Sequence, residues 1–218
     1  MIKRVIAVII LCVIAFGKIP AYAFNNFQGK NISKFTDVNI NDWYYKDVQF
    51  VLEEGLMKGV SSDKFYPDGI LTNAQVAQIF YNSGIKHTIA NEFIDIQGNE
   101  WYYNAVMECR EFFPVHWNRY EGGAMFLPNS PILRQELCYT ILKTSGLSDE
   151  DIINQYESKH GYFDQSWRVY PEAALQLMID MGIVSGYGNG DYGGTDSLTR
   201  AQCAAILNRV ISLYGHIN

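Results

Sequence analysis

Phe35-Thr36-Asp37-Val38, followed by Trp43-Tyr44-Tyr45, decides how this chain is read. Both blocks return 58 residues later, as Phe93-Ile94-Asp95-Ile96 and Trp101-Tyr102-Tyr103. A degraded third version reads Phe163-Asp164-Gln165-Ser166-Trp167. Downstream, Phe65-Tyr66-Pro67 precedes Leu71-Thr72-Asn73-Ala74-Gln75. Its counterparts are Phe126-Leu127-Pro128 before Ile132-Leu133-Arg134-Gln135-Glu136, and Tyr192-Gly193-Gly194 before Leu198-Thr199-Arg200-Ala201-Gln202. In all three the aromatic stands seven residues before the Thr or Leu. Chance rarely keeps two separate blocks in register, so the chain reads as three copies of one unit. The copies span 35–90, 91–146 and 162–218. A lead-in at 24–34 comes before them, and a connecting helix or linker at 147–161 separates the last two.

Each unit reads as helix, irregular loop, helix. In copy one Val48, Val51 and Leu52 share a face at helical spacing, and Gly55 suits a left-handed C-terminal cap. Copy three places Pro171 near the start and Gly182 at the end of its first helix. Thr72 and Thr199 each have glutamine three residues on, the capping-box spacing that opens a second helix. The second helices carry apolar stripes: Val76, Ile79 and Phe80; Leu137, Ile141 and Leu142; Cys203, Ile206 and Leu207. Such stripes can face a common axis, as in a three-helix core. One unit alone buries too little surface to be stable, which is a reason for three to pack together. Ser148, followed by Asp149-Glu150-Asp151, predicts the start of the connecting helix.

Before the copies lies Lys3-Arg4, an apolar run from Val5 to Phe16, and then Ala21-Tyr22-Ala23. That is the pattern of a secretory signal peptide over 1–23, too short to span a bilayer comfortably. Cleavage after Ala23 would leave 195 residues with 14 basic and 23 acidic side chains, a net charge of −9. Bulk attraction to nucleic acid is excluded, and any anionic ligand must be held by a few local arginines. With 48% apolar residues the chain is not disordered, and 15 of its 31 aromatics are tyrosine. Cys109, Cys138 and Cys203 lack metal-ligand spacing. Buried free thiols are the plain reading of Cys138 and Cys203, and a disulfide between two of the three stays open in an exported protein.

The order F-x-D, W, G-x-x-x-G, F-x-P and T-R-A-Q, triplicated behind a signal peptide, resembles the S-layer homology domain, a bacterial cell-wall-anchoring module usually present in three copies. The resemblance covers about residues 35 to 214. It implies a mainly α fold: a pseudo-threefold, three-pronged spindle around a central three-helix bundle. It also implies grooves between neighbouring repeats that bind secondary cell-wall polysaccharide, often through a pyruvylated terminal sugar.

The residues themselves nominate the contacts. Arg134 and Arg200 sit in the first turn of a helix, where free N–H groups and the positive end of the macrodipole favour a bound anion. Such an arginine can clamp a carboxylate, and a pyruvate ketal supplies one. The competing reading leaves these arginines solvated, or pairs them with Asp37, Asp95 or Asp164. Trp43, Trp101 and Trp167 are either core or hinge anchors, or groove walls against the apolar face of a sugar. Asp37 and Asp95 either cap the local turn or accept from sugar hydroxyls, with capping favoured for one oxygen of each.

The copies also depart from the family pattern. Asn73 replaces the arginine in copy one, and Leu133 replaces the capping threonine in copy two, leaving Ser130 or water to satisfy that helix start. Copy two has Phe112-Phe113-Pro114-Val115-His116-Trp117 where the others have paired glycines. The grooves should therefore be unequal.

Enzyme signatures are missing. Gly186-Tyr187-Gly188-Asn189-Gly190-Asp191 lacks the lysine and hydroxyl residue of a phosphate loop, and neither G-x-S-x-G nor H-E-x-x-H occurs. No catalytic residue, cofactor or metal site is expected. The reading is a non-catalytic, exported cell-surface protein that binds anionic wall polysaccharide, with other surface-layer proteins as further partners and no membrane span after signal cleavage. The alternative is a structural or assembly protein of the same fold that has lost glycan binding and holds a protein partner.

Overall fold

Capping chemistry sets where the helices begin, and glycine sets where several of them stop. A computed structural model describes residues 32–85, 93–161 and 170–214. The helices are α1 (Tyr45–Glu53), α2 (Asn73–Asn82), α3 (Tyr103–Cys109), α4 (Arg134–Thr144), α5 (Asp149–His160), α6 (Tyr170–Asp180) and α7 (Arg200–Tyr214). Strands β1 (His116–Asn118) and β2 (Gly123–Met125) form one antiparallel hairpin, which Phe93 joins beside Ala124. The described chain is thus mainly α. The signal peptide, Asp164 and Trp167 lie outside the described residues.

Thr72 and Gln75 form a reciprocal capping box at α2, and Thr199 and Gln202 form the same box at α7. At α4 only half of the box exists: Leu133 N donates to Glu136 Oε2 at 2.8 Å, and Leu133 offers no side-chain acceptor in return. Gly55 and Gly182 end α1 and α6 at φ 69° and 72°, a conformation that favours glycine. Ser148 and Asp151 cap the connecting helix α5.

The copies are tied together by a closed ring of backbone hydrogen bonds. Leu71 N donates to Leu198 O, Leu198 N to Ile132 O, and Ile132 N to Leu71 O, each at 3.0 Å. All three residues are buried. Around this ring the first N–H groups of each second helix, orphans of any α-helix, donate to the next copy's loop. Asn73 and Ala74 donate to Ser130 O and Pro128 O; Arg134 and Gln135 to Asp196 O and Gly194 O; Arg200 and Ala201 to Gly69 O and Pro67 O. The Ser130 carbonyl therefore serves copy one's helix. The start of α4, which Ser130 or water was expected to satisfy, is held by copy three.

Helix packing follows the same cyclic order. α3 of copy two packs on α2 of copy one, α6 of copy three on α4 of copy two, and α1 of copy one on α7 of copy three. The closest helix pairs thus run first helix to second helix across copies, rather than second helix to second helix as the stripes had suggested. The reason lies at the ring, which draws the second helices together at their N-termini and leaves each flank to a neighbour's first helix. Val76, Leu137 and Cys203 are fully buried in one continuous apolar core, along with Val48, Val51, Leu52, Ala174 and Leu177. Cys109, Cys138 and Cys203 are buried free thiols, and burial pushes each up to about 12. Among the described residues no helix is long and apolar enough to cross a membrane.

Candidate functional site

Asp37 and Asp95 are latches, and both oxygens of each are engaged. Asp37 accepts from Phe65 N at 2.9 Å and Tyr66 N at 2.8 Å, and Asp95 accepts from Phe126 N and Leu127 N at the same two distances. Each carboxylate bridges about 30 residues of sequence and holds a non-glycine residue at positive φ, 63° at Tyr66 and 55° at Leu127. Gly193 takes the corresponding place in copy three at φ 58°, where its N–H donates to Asp191 instead. A residue with a Cβ is strained in that region, and two short charge-assisted bonds outweigh the strain. The favoured assignment gave one oxygen of each to capping the local turn; instead both oxygens hold the distant loop, 28 to 32 residues along the chain.

The latched loops present their carbonyls to the neighbouring copy's helix start. Arg200 Nε donates to Phe65 O at 2.8 Å and Nη2 donates to Lys58 O, and the guanidinium lies 4.5 Å over the Phe65 ring. Arg134 Nη2 donates to Ser185 O at 2.6 Å, and its guanidinium lies 5.3 Å from the Tyr187 ring. Arg134 Nε is buried with no hydrogen-bond partner. Asn73 Nδ2 donates to Phe126 O and Leu127 O at 3.2 and 3.0 Å. Among the described residues neither Arg134 nor Arg200 is in an ion pair with a carboxylate. The pairing once open with Asp37 or Asp95 does not occur, and the helix N–H groups expected to be free are taken by loop carbonyls. Burial lowers the Arg200 guanidinium below its usual range, opposed by the nearby Asp37 carboxylate. Both arginines are thus cations whose hydrogen-bond acceptors are neutral carbonyls, with the Asp37 carboxylate acting on Arg200 from beyond ion-pair distance.

Trp43 and Trp101 are exposed at 64% and 65%, so neither is a core anchor. Each rests edge-on against its neighbouring tyrosine, Trp43 on Tyr44 and Trp101 on Tyr102, with centroids 5.2 Å apart in both pairs. The turns leading into them are tied by acids: Asn39 N donates to Asp42, while Gln97 N and Gly98 N donate to Glu100. Burial, then the hydrogen bond to Asp42, raises the Tyr44 hydroxyl to about 12, which keeps it a neutral donor.

Across the copy boundaries these residues meet in pairs. Trp101 and Arg200 line a cavity of about 350 Å³ with Lys58, Gly59 and Gln75. Trp43 and Arg134 line one of about 230 Å³ with Ser185, Gly186, Gln202 and Arg209. Gly59 and Gly186 occupy matching places, and both are needed small. A Cβ on Gly59 would meet Phe35 Cε1 at 2.3 Å, and one on Gly186 would meet Asp191 O at 2.7 Å. Reading along the sequence missed Arg209, whose Nη1 donates to Ile183 O and Ser185 Oγ. Nine residues into its helix, it occupies the place of Asn82 in copy one and Lys143 in copy two.

A third cavity, about 740 Å³, lies beside α4, and among the described residues neither a tryptophan nor an arginine lines it. His116 and Val115, from the hairpin that replaces copy two's glycine loop, form part of its wall.

The family model of the S-layer homology domain matches residues 34–77 and 164–204, which overlap copies one and three. The chain is 23% identical over 190 residues to an amylopullulanase of Thermoanaerobacterium thermosulfurigenes, covering 84% of this chain and 10% of that one. It is 27% identical over 113 residues to the surface-layer 125 kDa protein of Lysinibacillus sphaericus, covering 50% of this chain and 10% of that one. The chain therefore spans about a tenth of the length of these curated relatives. Two of its segments carry S-layer homology sequence, which supports that family and association with the cell surface. The matched module is a binding unit, not a catalytic one.

Proposed function

We propose that this chain is a non-catalytic cell-wall binding protein of the bacterial surface, built of three S-layer homology units at 35–90, 91–146 and 162–218. It attaches to an anionic secondary wall polysaccharide, and a pyruvate ketal supplies the charge. One observation carries this reading: an exposed indole and a fixed, unneutralised guanidinium meet twice, Trp43 with Arg134 and Trp101 with Arg200. The indole face covers the apolar face of a sugar ring, and the guanidinium receives the ketal carboxylate through N–H groups not committed to carbonyls. Because the neighbouring carbonyls already hold each arginine, little side-chain entropy is lost when the ligand arrives. Asp37 and Asp95 act one step back, by shaping the loops whose carbonyls fix Arg200 and Asn73. Asp164 and Trp167 complete the set by their place in the third copy.

A second reading is favoured by one patch. Val115 and Trp117 are 61% and 66% exposed, and Tyr120 at the hairpin tip is fully exposed, a surface suited to a protein partner in a surface assembly. Co-sedimentation with purified cell-wall sacculi, before and after chemical removal of the secondary polysaccharide, separates the two. Retention that disappears with the polysaccharide is expected, whereas retention indifferent to it would overturn the glycan reading.

A further inference from the structure

We propose that the Trp43 groove receives a sugar unit bearing two anionic groups, one held by Arg134 and the second by Arg209. This rests on the reading of the grooves as sites for an anionic wall glycan and specifies the charge that one of them takes. Two guanidiniums from different copies converge there on one neutral residue, Ser185. Arg134, in the first turn of α4, donates through Nη2 to Ser185 O at 2.6 Å. Arg209 of α7 donates through Nη1 to Ser185 Oγ at 3.2 Å and to Ile183 O at 2.9 Å. Both arginines line the groove with Trp43 and Gln202.

Like charges brought to one place repel, and the repulsion grows where water is excluded. Arg134 is only 6% exposed and Arg209 is half-buried. The carbonyls and the hydroxyl that hold them offset this repulsion with dipoles, whereas an anion offsets it with full charge. Donor capacity also remains. Arg134 Nε is buried with no hydrogen-bond partner, and Arg209 reaches both of its acceptors through Nη1. A carboxylate has two oxygens and is matched by one guanidinium fork. Two guanidiniums with separate anchors present two forks, so the second calls for a second anionic group, a phosphate or another carboxylate. Tyr187 walls the groove without adding charge: its ring lies 5.3 Å from the Arg134 guanidinium, and its hydroxyl donates to Asp196 Oδ2 at 3.0 Å.

The Trp101 groove is built differently at both places. Asn82 stands where Arg209 does, and its Oδ1 accepts from Gln78 Nε2 at 2.9 Å. Lys58 stands where Ser185 does, its carbonyl accepting from Arg200 as the Ser185 carbonyl accepts from Arg134. The Lys58 side chain is exposed, a hydrated point charge on a flexible stem rather than a fixed fork. A second anionic group in that groove gains only the little that an exposed ion pair gives.

The test is an NMR titration of the isotope-labelled mature chain with a pyruvate-ketal N-acetylhexosamine in three forms: its methyl glycoside, its glycosyl phosphate, and its disaccharide with a hexuronic acid. The amides of Ser185 and Gly186 report the Trp43 groove, and those of Gly59 and Gln75 report the Trp101 groove. At Ser185 and Gly186 one or both doubly charged probes should bind at least about tenfold more tightly than the methyl glycoside. At Gly59 and Gln75 the gain should stay below about fivefold. A gain from one probe alone would name phosphate or carboxylate as the second group, and a gain from both would assign either. Arg209→Gln, first shown to fold, should reduce the gain at the Trp43 groove to the level of the Trp101 groove, a change of preference that a loosened loop would not produce. The wild-type comparison stands without the variant. The proposal is overturned if neither doubly charged probe gains at Ser185 and Gly186, if the gain is equal at the two grooves, or if Arg209→Gln keeps it. Failure of the methyl glycoside at both grooves would instead overturn the proposed function, and the doubly charged probes would still decide Arg209.

Discussion

Copies one and two share their frame and differ in their groove walls. The aspartate latches have the same two distances, the Trp–Tyr contacts have the same 5.2 Å separation, and Phe35–Phe65 and Phe93–Phe126 meet edge-on at 65° and 62°. Above that frame, copy one keeps the tight Gly59 turn, whereas copy two has the hairpin of β1 and β2. The difference separates two jobs. The latch holds a loop that the neighbouring copy's helix start requires, so changing it would disturb the whole ring. The wall above it faces only the groove, so it can change ligand chemistry without changing the fold.

The largest expected effect tests the shared frame. Leu137→Asp places a carboxylate at a fully buried position in α4, inside the apolar core. A loss of about 4 kcal/mol or more is expected, with unfolding of all three copies in one calorimetric transition. A variant in which one copy melts and two persist would break the interlocked picture. Next come the latches. Asp37→Ala and Asp95→Ala should each cost about 2–4 kcal/mol in denaturant unfolding, since two charge-assisted bonds vanish and a positive-φ residue loses its restraint. Similar losses are required if the two copies use the latch alike.

Asn73→Ala should lower stability by about 1–3 kcal/mol by removing the side-chain donor to Phe126 O, while Leu127 O keeps its bond from Ser130 N, with affinity for a ketal ligand unchanged in calorimetry. That separates Asn73 from Arg200, which makes the comparable contact yet keeps its charge for a ligand. Trp43→Ala and Trp101→Ala should move stability least, within about 0.5 kcal/mol, because both side chains are mostly in solvent. Affinity should still fall about tenfold as the sugar platform disappears. Unequal losses between the two tryptophans would rank the grooves.

Local chemistry was legible in the sequence wherever it was carried by neighbours along the chain. The Thr72–Gln75 and Thr199–Gln202 caps, the helix ends at Gly55 and Gly182, and the Ser148 start of α5 all depend on residues a few positions apart. Partnership between copies was not legible. Nothing near Arg134 indicates that Trp43 shares its groove, because the ring through Leu71, Ile132 and Leu198 makes that pairing by backbone bonds available to any residue. The same ring explains why helix N–H groups read as free donors are taken. The hairpin left a trace that could have been used: Gly122-Gly123 between Trp117 and the apolar run Ala124-Met125-Phe126 is a turn signal. Arg209 left only a weak one, a charge in mid-helix whose importance depends on the loop it meets.

The most direct test of the arginine–tryptophan grooves is calorimetry of the mature chain on a wall-polysaccharide fragment, before and after mild acid removes its pyruvate ketal. The comparison should include the wild type, Arg134→Ala, Arg200→Ala and the double variant, each first shown to fold. Loss of one charge-assisted partner should weaken binding to the intact fragment by about 10- to 150-fold per groove. Removal of the ketal should bring the wild type down to the level of the double variant. Equal affinity of all four proteins for the intact fragment, or wild-type affinity indifferent to the ketal, would contradict the assignment of these two grooves to an anionic wall glycan.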